Sequence, residues 1–201
     1  MKYDAVVFDL LTALIDSWTL WNNVAGSPDD GMKWRRRYLE ITYCCGAYRP
    51  YETLVREAAR DVGLPERLGQ ELEQRWGELT PWPEAPAILR KIPVRLAVAT
   101  NCSVRLGRRA ADRVGVPFKL VETAEGVGFY KPRPEVYRAV LQKLSTVPER
   151  TLFVAGSASD VPGAKAVGMP VYRHNRVGLP PRDDARPDFL EKSLEPLSAL
   201  F

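Results

Sequence analysis

The chain has 201 residues, 45% of them hydrophobic and 27% charged, with a formal net charge of +4. This is enough for one substantial domain, or a core domain with a smaller insertion, and no apolar run approaches the ~20 residues needed to cross a bilayer. The surplus positive charge is scattered apart from "WRRRY" (Trp34 to Tyr38) and comes with no nucleic-acid-binding signature, so it reads as solubility and no nucleic-acid or membrane partner is expected.

In chain order, "KYDAVVFD" predicts a first strand ending on Asp9, with leucines following where a second acid could stand. From about Ser17 to Thr80 come amphipathic helical patterns with no strand between them: "GMKWRRRYLEITYCCGAY", "YETLVREAARDVGL" and "ERLGQELEQRWGEL". The segment "TPWPEAP" (Thr80 to Pro86), with three prolines, predicts a stiff return linker. Strand and helix then alternate. "VRLAVAT" (Val94 to Thr100), "TLFVAG" (Thr151 to Gly156) and the weaker "PVYRH" (Pro170 to His174) read as strands. Helices are expected over 103–115, 133–145 and 160–168. Near-continuous apolar strands joined by helices imply a doubly wound, Rossmann-like parallel α/β sheet, formed by residues 1–16 and 81–201, with residues 17–80 as a helical cap. The absence of a secretory cleavage pattern gives a cytoplasmic expectation. Cys44, Cys45 and Cys102 have no metal-ligand spacing, and the single His174, expected in a late loop, makes a Ser-His-Asp triad a poor fit.

Polar groups fall at strand ends. Asp9 ends the first strand, Thr100 and Asn101 end "RLAVAT", Lys131 lies in "GFYKPRPEVY", and Asp160 follows "LFVAGSAS". In a parallel sheet such positions converge on one rim, where ligands bind. Each residue alone has an ordinary explanation as a cap or a solvated loop charge. Together they make a nucleophilic constellation, in which a carboxylate attacks an electrophile and a lysine keeps it ionised.

This order resembles the haloacid dehalogenase superfamily over nearly the whole chain: "FDLLTAL" through Asp9, "AVATNCS" through Thr100, "YKPRPEVY" through Lys131 and "VAGSASDVPGAKAVGMP" through Asp160. Phosphatases of that superfamily carry a second acid where this chain has Leu11, and a metal-holding acid where it has Gly156. The resemblance therefore points to the L-2-haloacid dehalogenase branch, which works without metal. It implies a small anionic organic substrate, a possible homodimer, Arg35 as the group accepting the departing halide, and Leu11, Leu39, Tyr51, Thr100, Asn101, Tyr137 and Ser157 around the substrate. The branch's Tyr-Gly-Thr after the nucleophile is replaced by Leu11-Thr12-Ala13, which removes a hydroxyl at Ala13 unless Thr12 substitutes for it. Ala155, Ser157 and Ser159 replace that branch's serine, asparagine and tryptophan. Two alternatives stay open: a Mg²⁺-dependent phosphatase and a non-catalytic binding protein of the same fold.

Overall fold

The computed structural model describes residues 2–182 and 184–201. Six strands form one parallel sheet in the order β3-β2-β1-β4-β5-β6: β1 Ala5–Phe8, β2 Arg95–Thr100, β3 Leu120–Thr123, β4 Thr151–Ala155, β5 Val171–His174 and β6 Phe189–Glu191. β1 is central, with Phe8 level with Val98 of β2 and Val154 of β4, so the chain leaves β1, β2 and β4 at the same edge.

The strands are apolar on both sides because helices cover both faces. Val6, Phe8, Val98 and Val154 point to one layer, while Val7, Ala97, Ala99 and Phe153 point to the other. The second layer is closed by α8 (Pro134–Leu144) and α9 (Asp160–Ala166). The first is continuous with the helices that follow β1: α1 Ser17–Ala25, α2 Pro28–Cys45, α3 Tyr51–Asp61 and α4 Arg67–Gln74. α5 (Ala85–Leu89), α6 (Val104–Arg113) and α7 (Ala124–Val127) complete the α-helices among the described residues. Among the described residues no helix is long and apolar enough to cross a membrane.

α2 is the element that matters most for the site, and its start is strongly specified. Ser27 accepts a hydrogen bond from the Asp30 amide at 3.1 Å, Pro28 occupies the first turn, and Asp29 and Asp30 complement the positive end of the helix dipole. Its buried face carries Trp34, Arg35, Tyr38 and Thr42. Trp21 of α1 lies 4.5 Å from Trp34 and 5.5 Å from Tyr38, ring centre to ring centre, fixing the two helices against each other. Ile15 and Pro81 pair as an isolated antiparallel bridge where the chain leaves and re-enters the sheet layer.

Three expectations need correction. β3 and β6 read poorly as strands because "LVET" is half polar and "FLE" is a three-residue edge strand; the partner strands hold them in place. The proline-rich return segment is not all linker, since α5 begins at Ala85 with Pro86 in its first turn. His174 is not in a loop. It ends β5, is buried, and donates from Nδ1 to the Ala13 carbonyl at 2.8 Å, bracing the turn after β1.

Candidate active site

The shared edge of β1, β2 and β4 and the inner face of α2 enclose a small cleft. Asp9, Leu11, Thr12, Arg35, Tyr38, Leu39, Thr42, Tyr43, Thr100, Asn101, Lys131, Ser157, Ser159 and Asp160 line it. At its centre Lys131 Nζ lies 2.9 Å from Asp9 Oδ1 and 3.1 Å from Asp160 Oδ1, with all three side chains almost wholly buried. The other oxygen of Asp9, Oδ2, accepts a hydrogen bond from the Thr12 hydroxyl. The hydroxyl absent at position 13 is thus supplied one residue earlier.

These contacts divide the two acids. Burial raises the Asp9 carboxyl, but the Lys131 charge and the hydrogen bonds from Thr12 and Lys131 outweigh it and hold Asp9 below the usual carboxylate range. Asp160 lacks the hydroxyl partner. Burial dominates there, the Lys131 charge opposes it and the Asp9 charge adds to it, so its pKa is pushed up to about 7. Burial also works against the Lys131 ammonium, yet the two carboxylates raise its pKa above the usual lysine value. An ionised Asp9 beside a fixed ammonium is chemically a nucleophile, and Asp160 is tuned to gain and lose a proton near neutrality.

Asn101 orients this pair through its backbone contacts. Its Oδ1 accepts from the Lys131 amide at 2.8 Å and its Nδ2 donates to the Lys131 carbonyl at 3.2 Å, locking the loop after α7 to the end of β2. The Tyr38 hydroxyl donates to the Asn101 carbonyl at 3.2 Å, tying α2 to the same loop. Thr100 donates to Cys102 Sγ at 3.3 Å. Ser157 accepts from the Ser159 amide at 3.2 Å, shaping the turn between β4 and α9.

Arg35 enters the cleft from α2, only 1% exposed. One nitrogen donates to the Leu11 carbonyl at 3.3 Å, and the guanidinium lies 4.7 Å from the Trp18 ring and 5.2 Å from the Trp21 ring. Its Nε and Nη1 are buried without a hydrogen-bond partner. Unpaired buried donors of a cation are costly, and an anion in the cleft would relieve that cost.

Leu11, Leu39, Thr100, Asn101 and Ser157 come together on the cleft wall with the four charged residues. Tyr51 and Tyr137 do not line it. Tyr51 sits behind Tyr38, wedged between Tyr38 and Trp76 at ring distances of 5.3 and 5.9 Å. Tyr137 lies beneath the site and donates to the Asp160 carbonyl at 3.1 Å, so it braces the start of α9. Sequence reasoning missed Tyr38, Thr42 and Tyr43, and noted Thr12 and Ser159 only as departures from the family pattern. Tyr38 and Thr42 lie three and seven residues after Arg35, so a helical projection through Arg35 would have found them.

A magnesium ion does not fit these residues. A hard divalent cation needs several oxygen ligands, whereas here an ammonium lies between the two carboxylates that line the cleft among the described residues. No further acid can be added at position 156, because a Cβ there would overlap the Ala13 amide nitrogen and the Thr12 carbonyl carbon. Among the described residues no three His, Cys, Asp or Glu side chains are grouped to hold a metal.

Comparison with known proteins gives a consistent picture. The chain is 28% identical to (S)-2-haloacid dehalogenase 4A of Burkholderia cepacia, covering 98% of this chain and 93% of that protein. It is likewise 28% identical to (S)-2-haloacid dehalogenase 1 of Pseudomonas sp. (strain CBS-3), over 88% and 86% of the two chains. L-2-haloacid dehalogenase from Xanthobacter autotrophicus shares the fold with a TM-score of 0.87 at 24% identity, covering 98% of each chain. The description haloacid dehalogenase-like hydrolase matches residues 3–168, more than three quarters of the sequence. The chain belongs to the haloacid dehalogenase-like hydrolase family.

Proposed function

We propose that this protein is a metal-independent hydrolase of (S)-2-haloacids, working through an ester on Asp9. The observation that carries the reading is the charge arrangement: an ionised carboxylate balanced by lysine, facing a buried arginine with two unpartnered donors. The relatives named as (S)-2-haloacid dehalogenases support it.

In the first step an Asp9 carboxylate oxygen forms a bond to C2 as the C2–halogen bond breaks from the opposite side, which inverts C2. The halide leaves with the bonding electrons and is met by Nε and Nη1 of Arg35. In a cleft shut off from bulk water that charge contact is far stronger than at a surface. Leu11 and Leu39 keep the space around C2 apolar, and donors near Thr100 and Asn101 hold the substrate carboxylate. In the second step Asp160 takes a proton from a water molecule that attacks the Asp9 carbonyl carbon. The ester C–O bond breaks, the 2-hydroxy acid leaves with a returned proton, and the water oxygen stays in the Asp9 carboxylate. Lys131 keeps Asp9 ionised for the first step and offsets the charge that develops in the second. We further read residues 17–80 as a cap that brings Arg35 over the nucleophile.

The test is halide release from the separate enantiomers of 2-chloropropionate, with and without EDTA. Chloride is expected from the (S) enantiomer alone, at a rate EDTA leaves unchanged, and Asp9→Asn is expected to lower it by at least 10³-fold. EDTA-sensitive phosphate release from an aryl phosphate, without halide release, would overturn the reading.

A further inference from the structure

We infer that the site is built for 2-substituted straight-chain acids with an extended apolar tail, carried in a groove that opens off the catalytic cleft; this rests on the dehalogenase reading above. The space at Asp9 is only about 30 Å³. Beside it lies a second space of about 270 Å³ that shares Leu39, Ser157 and Ser159 with the first, so the two adjoin. The first volume matches one or two waters at ~10–15 Å³ each, whereas the second holds a chain of several carbons.

The groove's walls suit hydrocarbon. Leu39 of α2 forms one side, and Leu179, Pro180 and Pro181, in the segment after β5, line it with Ala158 from the turn after β4. The two prolines have no N–H to donate. A polar tail would leave its own groups unpaired against that wall, while an alkyl tail loses nothing there. Three charged residues also line the groove; Arg36 is exposed, and the other two are engaged elsewhere. Glu40 pairs with Arg37 at 3.2 Å, and the Arg182 guanidinium lies 3.5 Å from the centre of the Tyr43 ring. Ser159, with its small side chain, sits where the groove meets the cleft and leaves the passage open. With C2 at Asp9 and the halogen toward Arg35, the chain from C3 onward has this opening as its way out.

The test compares kcat/KM for (S)-2-chloropropionate, -butanoate, -hexanoate and -octanoate. A gain of about threefold per methylene is expected as the chain grows, roughly 30-fold from propionate to hexanoate. Leu179→Gln, which alters the groove and leaves the cleft untouched, is expected to flatten the series while 2-chloropropionate turnover stays within about twofold. If that variant does not fold, the exposed Pro181→Glu makes the same comparison. Turnover of 2-chloropropionate with no gain for longer acids would overturn the tail groove and leave the dehalogenase reading standing. An unchanged series in the folded variant would overturn the groove's placement. No halide release from an acid of any length would overturn both.

Discussion

Asp9 and Asp160 are chemically identical groups placed within reach of one ammonium, and what separates them is the Thr12 hydroxyl and the Arg35 charge, which both favour ionised Asp9. Thr12 donates to Asp9 and nothing equivalent donates to Asp160. Burial then holds Asp160 up at about 7 while Asp9 stays ionised. In the proposed mechanism Asp160 works deprotonated, so ester hydrolysis rises with pH through the Asp160 pKa and then levels off. Esterification removes the Asp9 charge that helps raise that pKa, so the limb lies below the value of about 7 that Asp160 has in the free enzyme. Lys131, whose pKa is raised, keeps its proton over the same range. Rates of the hydrolytic step measured from pH 5 to 9 are expected to show this rising limb, and Asp160→Asn to lose it along with most of the rate. A limb that survives the substitution would assign the base to another group. At this scale much of the site was legible in the sequence, because an acid or amide directly after an apolar parallel strand can only emerge at the rim. Asp9, Thr100 and Asn101 follow from that rule, Lys131 and Asp160 lie in loops read onto the same rim, and Leu11 followed from the family resemblance. Tyr51 and Tyr137 escaped it, since helical position alone does not distinguish a residue on the cleft wall from one a layer behind.

Four connecting segments and one helix carry these residues, and the turns after β1 and β4 are interlocked. The turn after β4 passes so close to the one after β1 that position 156 has no room for a side chain. His174 supports the same β1 turn through the Ala13 carbonyl, and the Trp82 indole donates to the Thr12 carbonyl at 3.0 Å. Gly156→Ala must therefore push backbone away from backbone and displace the Thr12 hydroxyl as well. A loss of about 1–3 kcal/mol is expected, seen as a lower Tm, together with reduced activity because Thr12 moves off Asp9. An active variant of unchanged Tm would show the turns to be looser than their packing implies. The helices and the central strands could be read from apolar periodicity and caps such as Ser27 and Ser103. β3 and β6 could not, because their strand state comes from pairing with β2 and β5 and not from their own composition.

Across the whole molecule, the helical layer and the sheet share one hydrophobic core, running from Val6 and Phe8 through Trp21 and Trp34 to Trp76. The Trp76 indole donates to the Leu106 carbonyl at 2.9 Å, fastening the helical layer to α6. Such burial places a cation from α2 near an anion that follows β1, and in the proposed mechanism these side chains do the work a metal ion does in other hydrolases. The cost of burying those charges is met by their mutual pairing, and the part left unmet, at Arg35, falls where the departing anion is expected. The proposed mechanism requires that the Asp9 carboxylate is alkylated at C2 of the substrate and that water then opens the resulting ester at the Asp9 carbonyl carbon. One turnover of excess enzyme with (S)-2-chloropropionate in oxygen-18 water, followed by mass analysis of the peptide containing Asp9, tests it directly. The account expects the heavy oxygen in the Asp9 carboxylate and unlabelled oxygen at C2 of the lactate; label at C2 with none on Asp9 would contradict it.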